Sequence, residues 1–172
     1  MSDALREPYP PDLDDDAATT HELGDLRDVL VESADWSNGR ASRVSFTRVE
    51  LRLCRLTGIE LGEASLTDVV FADCRLDLAV LRFSTLERVV FRDCRMAEAD
   101  LHAASLKDVR FERCELRQAR FDGLRLERVE LVGCDLAGSA GLEALRGARM
   151  PWDDVLANAP AFAQALGIEI LD

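Results

Sequence analysis

The sequence is poor in aromatic residues, which make up 6% of its 172 residues, although 48% of them are hydrophobic. A core with so few rings must be filled by Leu, Val, Ala and Cys, and these side chains suit a narrow, regular interior. Long apolar runs are missing too, since no window approaches the roughly 18 apolar residues of a membrane span. We therefore expect one cytoplasmic domain with terminal additions.

Residues that carry catalysis are also scarce. The two histidines are His21 and His102, and the spacing assigns neither of them a nucleophile or an orienting acid. A glycine-rich phosphate-binding loop is absent from the sequence. We therefore predict a protein that is not an enzyme and has no catalytic, cofactor-binding or metal-binding residues.

Positive charge is in deficit, with 21 Lys and Arg against 33 Asp and Glu and a net charge of -12. Phosphate binding needs a positive surface, so direct binding of nucleic acid or of an anionic membrane is excluded. The acids are unevenly placed: residues 1–40 hold 11 acids and 3 bases, whereas residues 41–140 hold 17 and 16. The middle of the chain is therefore nearly neutral.

The residues that are abundant follow a period of five. Every position whose number ends in 1 or 6, from Phe46 to Leu136, is Leu, Phe or Met, and this gives nineteen in succession. A second apolar or small residue stands two positions before each of them. A helix needs apolar residues every 3.6 positions and a half-buried strand every two, so neither explains the pattern. A five-residue unit with two inward and three outward side chains corresponds to one side of a coil with a square cross-section.

A second period, of 20 residues, gives the coil its four sides. Five valines and five cysteines recur with this period: Val49, Val69, Val89, Val109 and Val129, and Cys54, Cys74, Cys94, Cys114 and Cys134. Each set returns to the same side once per turn and so forms an internal column. With neighbouring turns about 4.8 Å apart, five turns make a rod roughly 25 Å long.

This pattern resembles the pentapeptide repeat family, whose unit reads Ala, Asp or Asn, Leu, and two variable residues. Residues 99–101 match that unit, and residues 134–136 nearly do. The resemblance covers about 110 residues. It implies a right-handed coil. Together with the two periods and the terminal segments, it predicts an all-β solenoid, namely a right-handed quadrilateral β-helix of about five coils with a C-terminal α-helical cap and a short N-terminal arm.

Three segments follow from these patterns: an acidic arm over residues 1–30, the β-helix over 31–140, and a helical cap over 141–172. The arm holds Pro8, Pro10 and Pro11 and an acidic cluster, a composition typical of a disordered or loosely attached segment. Its last part has apolar residues at helical spacing that are suited to cover the first coil. They are Leu23, Leu26, Val29 and Leu30.

The C-terminal segment has the spacing of an amphipathic helix, which Pro160 is expected to kink or to split into two short helices. A solenoid exposes its core at both ends, so one interpretation of this segment is a cap. The other interpretation is a homodimer surface. The candidate residues for both are Trp152, Val155, Leu156, Phe162 and Leu166.

Two columns are interpreted as structural. The five cysteines lie in one ladder, which suits neither a tetrahedral metal site nor disulfide geometry, so we interpret them as small buried residues. On the outer face, charges alternate in sign every 20 residues, so that each has opposite neighbours one turn above and below. This charge column is Arg48, Asp68, Arg88, Asp108 and Arg128.

Some apolar residues fall at outward positions and are the candidate partner surface: Val70, Leu78, Val80, Phe83 and Val90. A cluster of this kind indicates a contact, either with a protein partner or with the N-terminal arm folded back over it.

The sequence thus favours a protein-protein interaction module or scaffold whose partner it does not name, and a purely structural spacer is a further alternative. The family resemblance implies another function, since some pentapeptide proteins imitate duplex DNA, bind DNA gyrase and lessen fluoroquinolone action. Those mimics are long acidic rods doubled by C-terminal dimerisation. The near-neutral rod and its shorter length count against this function here.

Overall fold

The computed structural model describes residues 4–12 and 23–171 of the chain. Its body is a β-solenoid of about five coils built from six parallel strands that pair in sequence order. The strands are β1 (Leu26–Glu32), β2 (Ser45–Arg52), β3 (Ser65–Ala72), β4 (Thr85–Arg92), β5 (Ser105–Glu112) and β6 (Arg125–Val132). Each residue pairs with the one 20 positions later, for example Phe46 with Leu66. Single bridges such as Arg55 with Arg75 and Glu60 with Val80 link the other two sides.

Every corner of the coil has a left-handed backbone conformation. Positive φ values recur at each residue whose number ends in 3 or 8, from Asp28 to Gly138, and only four of these positions are glycine. The corner N–H groups donate to carbonyls of the next coil, as Leu53 N does to Ala72 O at 3.0 Å. These bonds between coils hold non-glycine residues in a conformation that L-amino acids normally avoid.

The interior consists of columns one residue wide. The rings of Phe71 and Phe91 stack with centroids 4.8 Å apart, and those of Phe91 and Phe111 with centroids 5.0 Å apart. These distances measure the step from coil to coil. The side chains of Val69, Leu76 and most of the other inward residues are fully buried. The solenoid predicted from the two periods is confirmed.

The coil begins earlier than the sequence indicates, because β1 starts at Leu26. The helix suggested by the spacing of Leu23, Leu26, Val29 and Leu30 is not present over residues 23–30. Leu26 and Val29 pair with Phe46 and Val49 of the next coil. A corner at Asp28 turns residues three apart to the same interior, so the coil produces an apolar spacing that imitates that of a helix.

The C-terminal segment contains a 3-10 helix (Leu142–Leu145) and two short helices, α1 (Trp152–Ala157) and α2 (Ala159–Ala165). Pro160 lies in the first turn of α2, where proline is tolerated, and the helix is split at Asn158. In the part of the chain that the structure describes, no helix has the length and hydrophobicity needed to cross a bilayer.

This segment closes the hydrogen-bonding edge of the last coil. The Asn158 side chain accepts from Leu136 N at 2.8 Å and donates to Cys134 O at 2.9 Å. One coil earlier, the backbone of Asp135 makes the corresponding two bonds to residues 116 and 114. The Asp154 carboxylate accepts from Gly133 N at 2.6 Å. Side-chain groups therefore replace the peptide groups of the coil that would come next.

Candidate protein interaction surfaces

The cysteine column has the chemistry of a core. All five thiols are free and buried, and each donates to backbone carbonyls, as Cys74 does to Leu51 O at 3.5 Å and to Ala72 O at 3.3 Å. Hydrogen bonding to the neighbouring thiol and burial raise the pKa of Cys54, Cys94 and Cys134. These thiols stay protonated at neutral pH and are poor nucleophiles. Among residues 4–12 and 23–171, no cluster of His, Cys, Asp or Glu could hold a metal ion.

The charge column consists of separate ion pairs rather than a continuous ladder. Each arginine binds the aspartate one coil before it through two nitrogens, and Arg88 does so to Asp68 at 2.6 and 3.1 Å. The three pairs are Arg48 with Asp28, Arg88 with Asp68, and Arg128 with Asp108. Each charge has opposite neighbours one coil above and below, but the arginine Nε and Nη2 both donate to the aspartate one coil before, because this bidentate geometry engages a single carboxylate.

The N-terminal arm, defined here as residues 4–12, docks onto these aspartates. Three of its backbone N–H groups donate to the three carboxylates: Arg6 N to Asp108 at 3.1 Å, Tyr9 N to Asp68 at 3.1 Å, and Asp12 N to Asp28 at 3.3 Å. Glu7 pairs with Arg110 at 3.3 Å, and the Arg88 guanidinium lies 5.9 Å from the Tyr9 ring centroid. Over residues 4–12 the arm therefore contacts the rod through three backbone hydrogen bonds and an ion pair. The acidic residues 14–16 lie outside the described residues.

The predicted partner surface divides into two parts. Val70 and Val90 lie on the side of the coil along which the arm runs, and Val70 is half-buried while Val90 is only 1% exposed. Because Glu7 pairs with Arg110 and Tyr9 bonds Asp68, the chain between them passes the coil that holds Val90. Val90 is therefore not part of an exposed partner surface. Of the two interpretations of the apolar cluster, contact with a partner and cover by the N-terminal arm, the second applies to Val90.

The other part stays accessible and is called the corner patch, consisting of Leu78, Val80, Phe83 and His102. Leu78 and Phe83 are 51% and 59% exposed, at successive left-handed corners of one coil. Val80, half-buried, lies between them. The His102 ring packs edge-on against Phe83 with centroids 5.5 Å apart, and its buried Nδ1 has no hydrogen-bond partner among the described residues.

Charged groups border the corner patch. Asp100, which is mostly buried, pairs with Arg82 at 2.5 Å and with Arg120 at 3.6 Å, and it also accepts from His102 N at 3.0 Å. These contacts fix the polar border in place. An apolar centre with a charged border is the usual composition of a protein interface.

The cap end is a second apolar surface. Trp152, Leu156 and Leu166 are 71%, 54% and 69% exposed, whereas Val155 and Phe162 are partly buried. A groove of about 800 Å³ lies between the 3-10 helix, the residues that follow it and the helices α1 and α2, and is lined by Leu142, Leu145, Ala148, Met150, Val155, Phe162 and Leu166, among others. The tail residues Ile168, Ile170 and Leu171 are exposed as well. The sequence interpretation omitted them, although the alternating apolar residues after Gly167 signal them.

A protein-family model, the pentapeptide repeat region, matches residues 44–121 and 64–140 of the chain. The two stretches overlap, and together they cover more than half of the chain. The chain belongs to the pentapeptide repeat family. Its matched region coincides with the coils from β2 onward, so the first coil and the cap lie outside it.

Solved structures of pentapeptide repeat proteins are similar to this chain at low sequence identity. One from the thylakoid lumen of Arabidopsis thaliana has a TM-score of 0.52 and 22% identity, over 55% of this chain and 68% of its own. QnrB1, a plasmid-mediated fluoroquinolone resistance protein, has a TM-score of 0.37 and 19% identity over 88% and 100% of the two chains. HetL from Nostoc, involved in heterocyst differentiation regulation, has a TM-score of 0.25 and 16% identity over 76% and 90%. No curated protein matches the sequence.

Proposed function

We propose that this pentapeptide repeat protein is a non-enzymatic interaction module that binds a protein partner through the corner patch. The observation that carries the proposal is the pair of large apolar side chains at exposed left-handed corners, Leu78 and Phe83. A left-handed conformation costs a non-glycine residue on the order of 1 kcal/mol or more, and exposed apolar area adds no folding stability. The hydrogen bonds between coils already hold the left-handed backbone at every corner, so a contact with a partner is what accounts for the exposed apolar side chains there.

The rod supports such a contact because it is rigid. Backbone hydrogen bonds of 2.8 and 3.0 Å from Leu78 and Phe83 to the next coil fix the two corners, so little backbone order remains to be gained on binding. Phe83, held against His102, is the aromatic anchor expected at the centre of such an interface.

The double variant Leu78→Asn, Phe83→Asn tests the proposal, because asparagine tolerates the left-handed conformation and removes the apolar side chains. The matched control is Leu53→Asn, an exposed leucine in the same turn conformation at another corner. We expect the double variant to keep its circular dichroism spectrum and to capture its partner from native extract at least tenfold less well. Titration calorimetry with the purified partner confirms the loss. Equal capture of the partner by the double variant and the control would exclude the corner patch as the partner-binding surface.

DNA mimicry with DNA gyrase as the partner is the second candidate, which the family resemblance supports. The rod argues against it, because residues 41–140 hold 17 acids and 16 bases and many of these acids are paired with arginines, as Asp93 is with Arg113. We expect no inhibition of gyrase supercoiling at micromolar protein. Inhibition at that concentration would favour the mimic over the corner patch.

We also propose a cytoplasmic location. Its support is the presence of five free cysteines, since thiols persist unpaired in a reducing compartment. Fractionation of the native cell, with immunodetection of the protein, tests it.

A further inference from the structure

The arm follows the rod with a fixed step. Moving three residues along the arm, from Arg6 to Tyr9 and again to Asp12, moves the acceptor 40 residues back along the coil each time. Forty residues are two full coils. The arm therefore runs antiparallel to the advance of the solenoid and contacts every second coil in the same way.

This step matches the geometry of a polyproline II helix. Such a helix has three residues per turn and rises about 3.1 Å per residue, so it advances about 9.3 Å in three residues. Two coils at the observed Phe ring spacing of 4.8 and 5.0 Å cover nearly the same distance. A segment of this kind presents one N–H group per turn to the rod in unchanging orientation.

The prolines occupy the positions that this arrangement leaves free. Proline has no N–H group, and Pro8, Pro10 and Pro11 all fall between the donors at Tyr9 and Asp12 or just before them. The two remaining N–H groups in this stretch are the two that the aspartates accept. Proline also restricts φ to the polyproline II value, so the arm loses little entropy on docking.

The receptor is built into the coils. In each of the three pairs the aspartate Oδ1 accepts both from the arginine Nε and from the arm N–H. The bidentate arginine fixes the orientation of the carboxylate. Between the aspartates, Arg88 and Arg110 provide a stacking site for an aromatic ring and a partner for an acid. The side chains of Val70 and Val90 provide an apolar surface on the same side of the coil.

We propose that this face is a docking groove for polyproline II segments, which the arm occupies in cis and which also accepts a proline-rich segment of a partner protein. The segment it fits has N–H donors at every third residue, prolines between them, an acid after the first donor and an aromatic residue at the second. The arm is its internal ligand. A partner segment with the same spacing replaces the arm contact for contact. This groove and the corner patch are separate surfaces.

The test uses the full chain, in which a substitution weakens the binding of its own arm to the groove. Tyr9→Pro removes the middle donor and the ring but keeps the polyproline II preference, whereas Tyr9→Phe keeps both and is the matched control. The probe is a fluorescein-labelled peptide of residues 4–12, titrated by fluorescence anisotropy against each variant. We expect the Tyr9→Pro chain to bind it at least tenfold more tightly than the Tyr9→Phe chain. A peptide with proline in place of its tyrosine should not bind.

A second measurement uses the unaltered chain and does not depend on any variant folding. In amide hydrogen exchange by NMR, we expect the N–H groups of Arg6, Tyr9 and Asp12 to exchange slowly and that of Glu7, next to them, to exchange fast. Excess unlabelled peptide should abolish the protection of the three.

Four outcomes overturn the proposal. Equal affinity of the two variants for the peptide, or no binding to either, would make the face only a packing site for the arm. Protection unchanged by excess peptide would do the same. A dimer of the Tyr9→Phe chain in light scattering that is lost in the Tyr9→Pro chain would identify the occupant as the arm of a second copy instead of a partner protein.

Discussion

Single residues at the coil corners adopt the left-handed conformation whatever their side chain is. Leu53 does so with φ of 55° and is 58% exposed, so its side chain gains little from burial. Asparagine adopts this conformation more readily than leucine. We expect Leu53→Asn to raise the free energy of unfolding by up to about 1 kcal/mol, measured by urea denaturation. Thr85→Asn, at an exposed strand position without positive φ, should give no gain, and a gain of equal size there would contradict the explanation.

Asn158 is the residue on which closure of the last coil depends. It is buried, and its carboxamide makes three hydrogen bonds, including those to Leu136 N and Cys134 O. Replacing it with leucine keeps the volume and leaves these backbone groups unpaired, which costs about 1–3 kcal/mol for each buried group. We expect Asn158→Leu to lower the free energy of unfolding by about 2–4 kcal/mol in urea denaturation. Gln164→Leu, exposed on α2, is the control, and similar values for the two variants would contradict this role.

Inward residues were predictable from the sequence, and Asn158 was not. The interior repeats nineteen times, so each position is supported by its neighbours. Asn158 occurs once, between two alanines, and its role depends on meeting Leu136, 22 residues earlier. The left-handed corners were equally hidden, because residues as different as Leu53, Asp93 and Gly123 occupy them.

At the scale of the structural elements, binding of the N-terminal arm to the rod depends on ionised carboxylates and is therefore sensitive to acid. A hydrogen bond from Arg128, and more weakly one from Arg6, holds the pKa of Asp108 below its ordinary value of 3.8, and Arg48 does the same for Asp28. A carboxylate with a lowered pKa stabilises the folded state above the ordinary pKa, and this contribution is lost as the pH falls through the lowered value. The arm should therefore stay docked through neutral and mildly acidic pH.

We expect release below about pH 3.8, the ordinary pKa of these groups. The measurement is the NMR chemical shift of the Arg6 amide, which donates to Asp108, against pH, with the amide of core residue Val89 as the control. Movement of the Arg6 signal between pH 5 and 7 would contradict carboxylate control. Simultaneous movement of the Val89 signal would indicate unfolding of the rod.

Composition alone does not reveal how residues 4–12 contact the rod. Proline and aspartate are typical of disordered segments because such segments bury little apolar area. Docking of residues 4–12 instead rests on a three-residue spacing that equals two coils, and the coil direction and the orientation of Asp28, Asp68 and Asp108 are needed to see it. The misread strand β1 has a similar origin, since the corner at Asp28 gives a helical spacing of apolar residues without a helix.

At the scale of the whole molecule, the C-terminal segment serves as a cap and leaves an apolar surface of its own. Its inner side closes the last coil through Asp154 and Asn158. Its outer side exposes Trp152, Leu156 and Leu166 together with the tail. A cap alone needs only the inner side. Capping and dimerisation, the two interpretations of this segment, therefore fall on different sides of the same helices.

We predict that two copies associate through this outer side, since exposed apolar residues that are contiguous with a groove of about 800 Å³ bury favourably against their own copy. Light scattering after gel filtration at about 50 µM should give twice the mass of 19.1 kDa. Trp152→Ser with Leu166→Ser should give the monomer, and because both side chains are about 70% exposed, stability should change little. Phe83→Asn, at the corner patch, should stay dimeric. A monomeric unaltered chain would restrict the segment to capping, whereas dimers lost in Phe83→Asn would move the self-contact to the side of the rod.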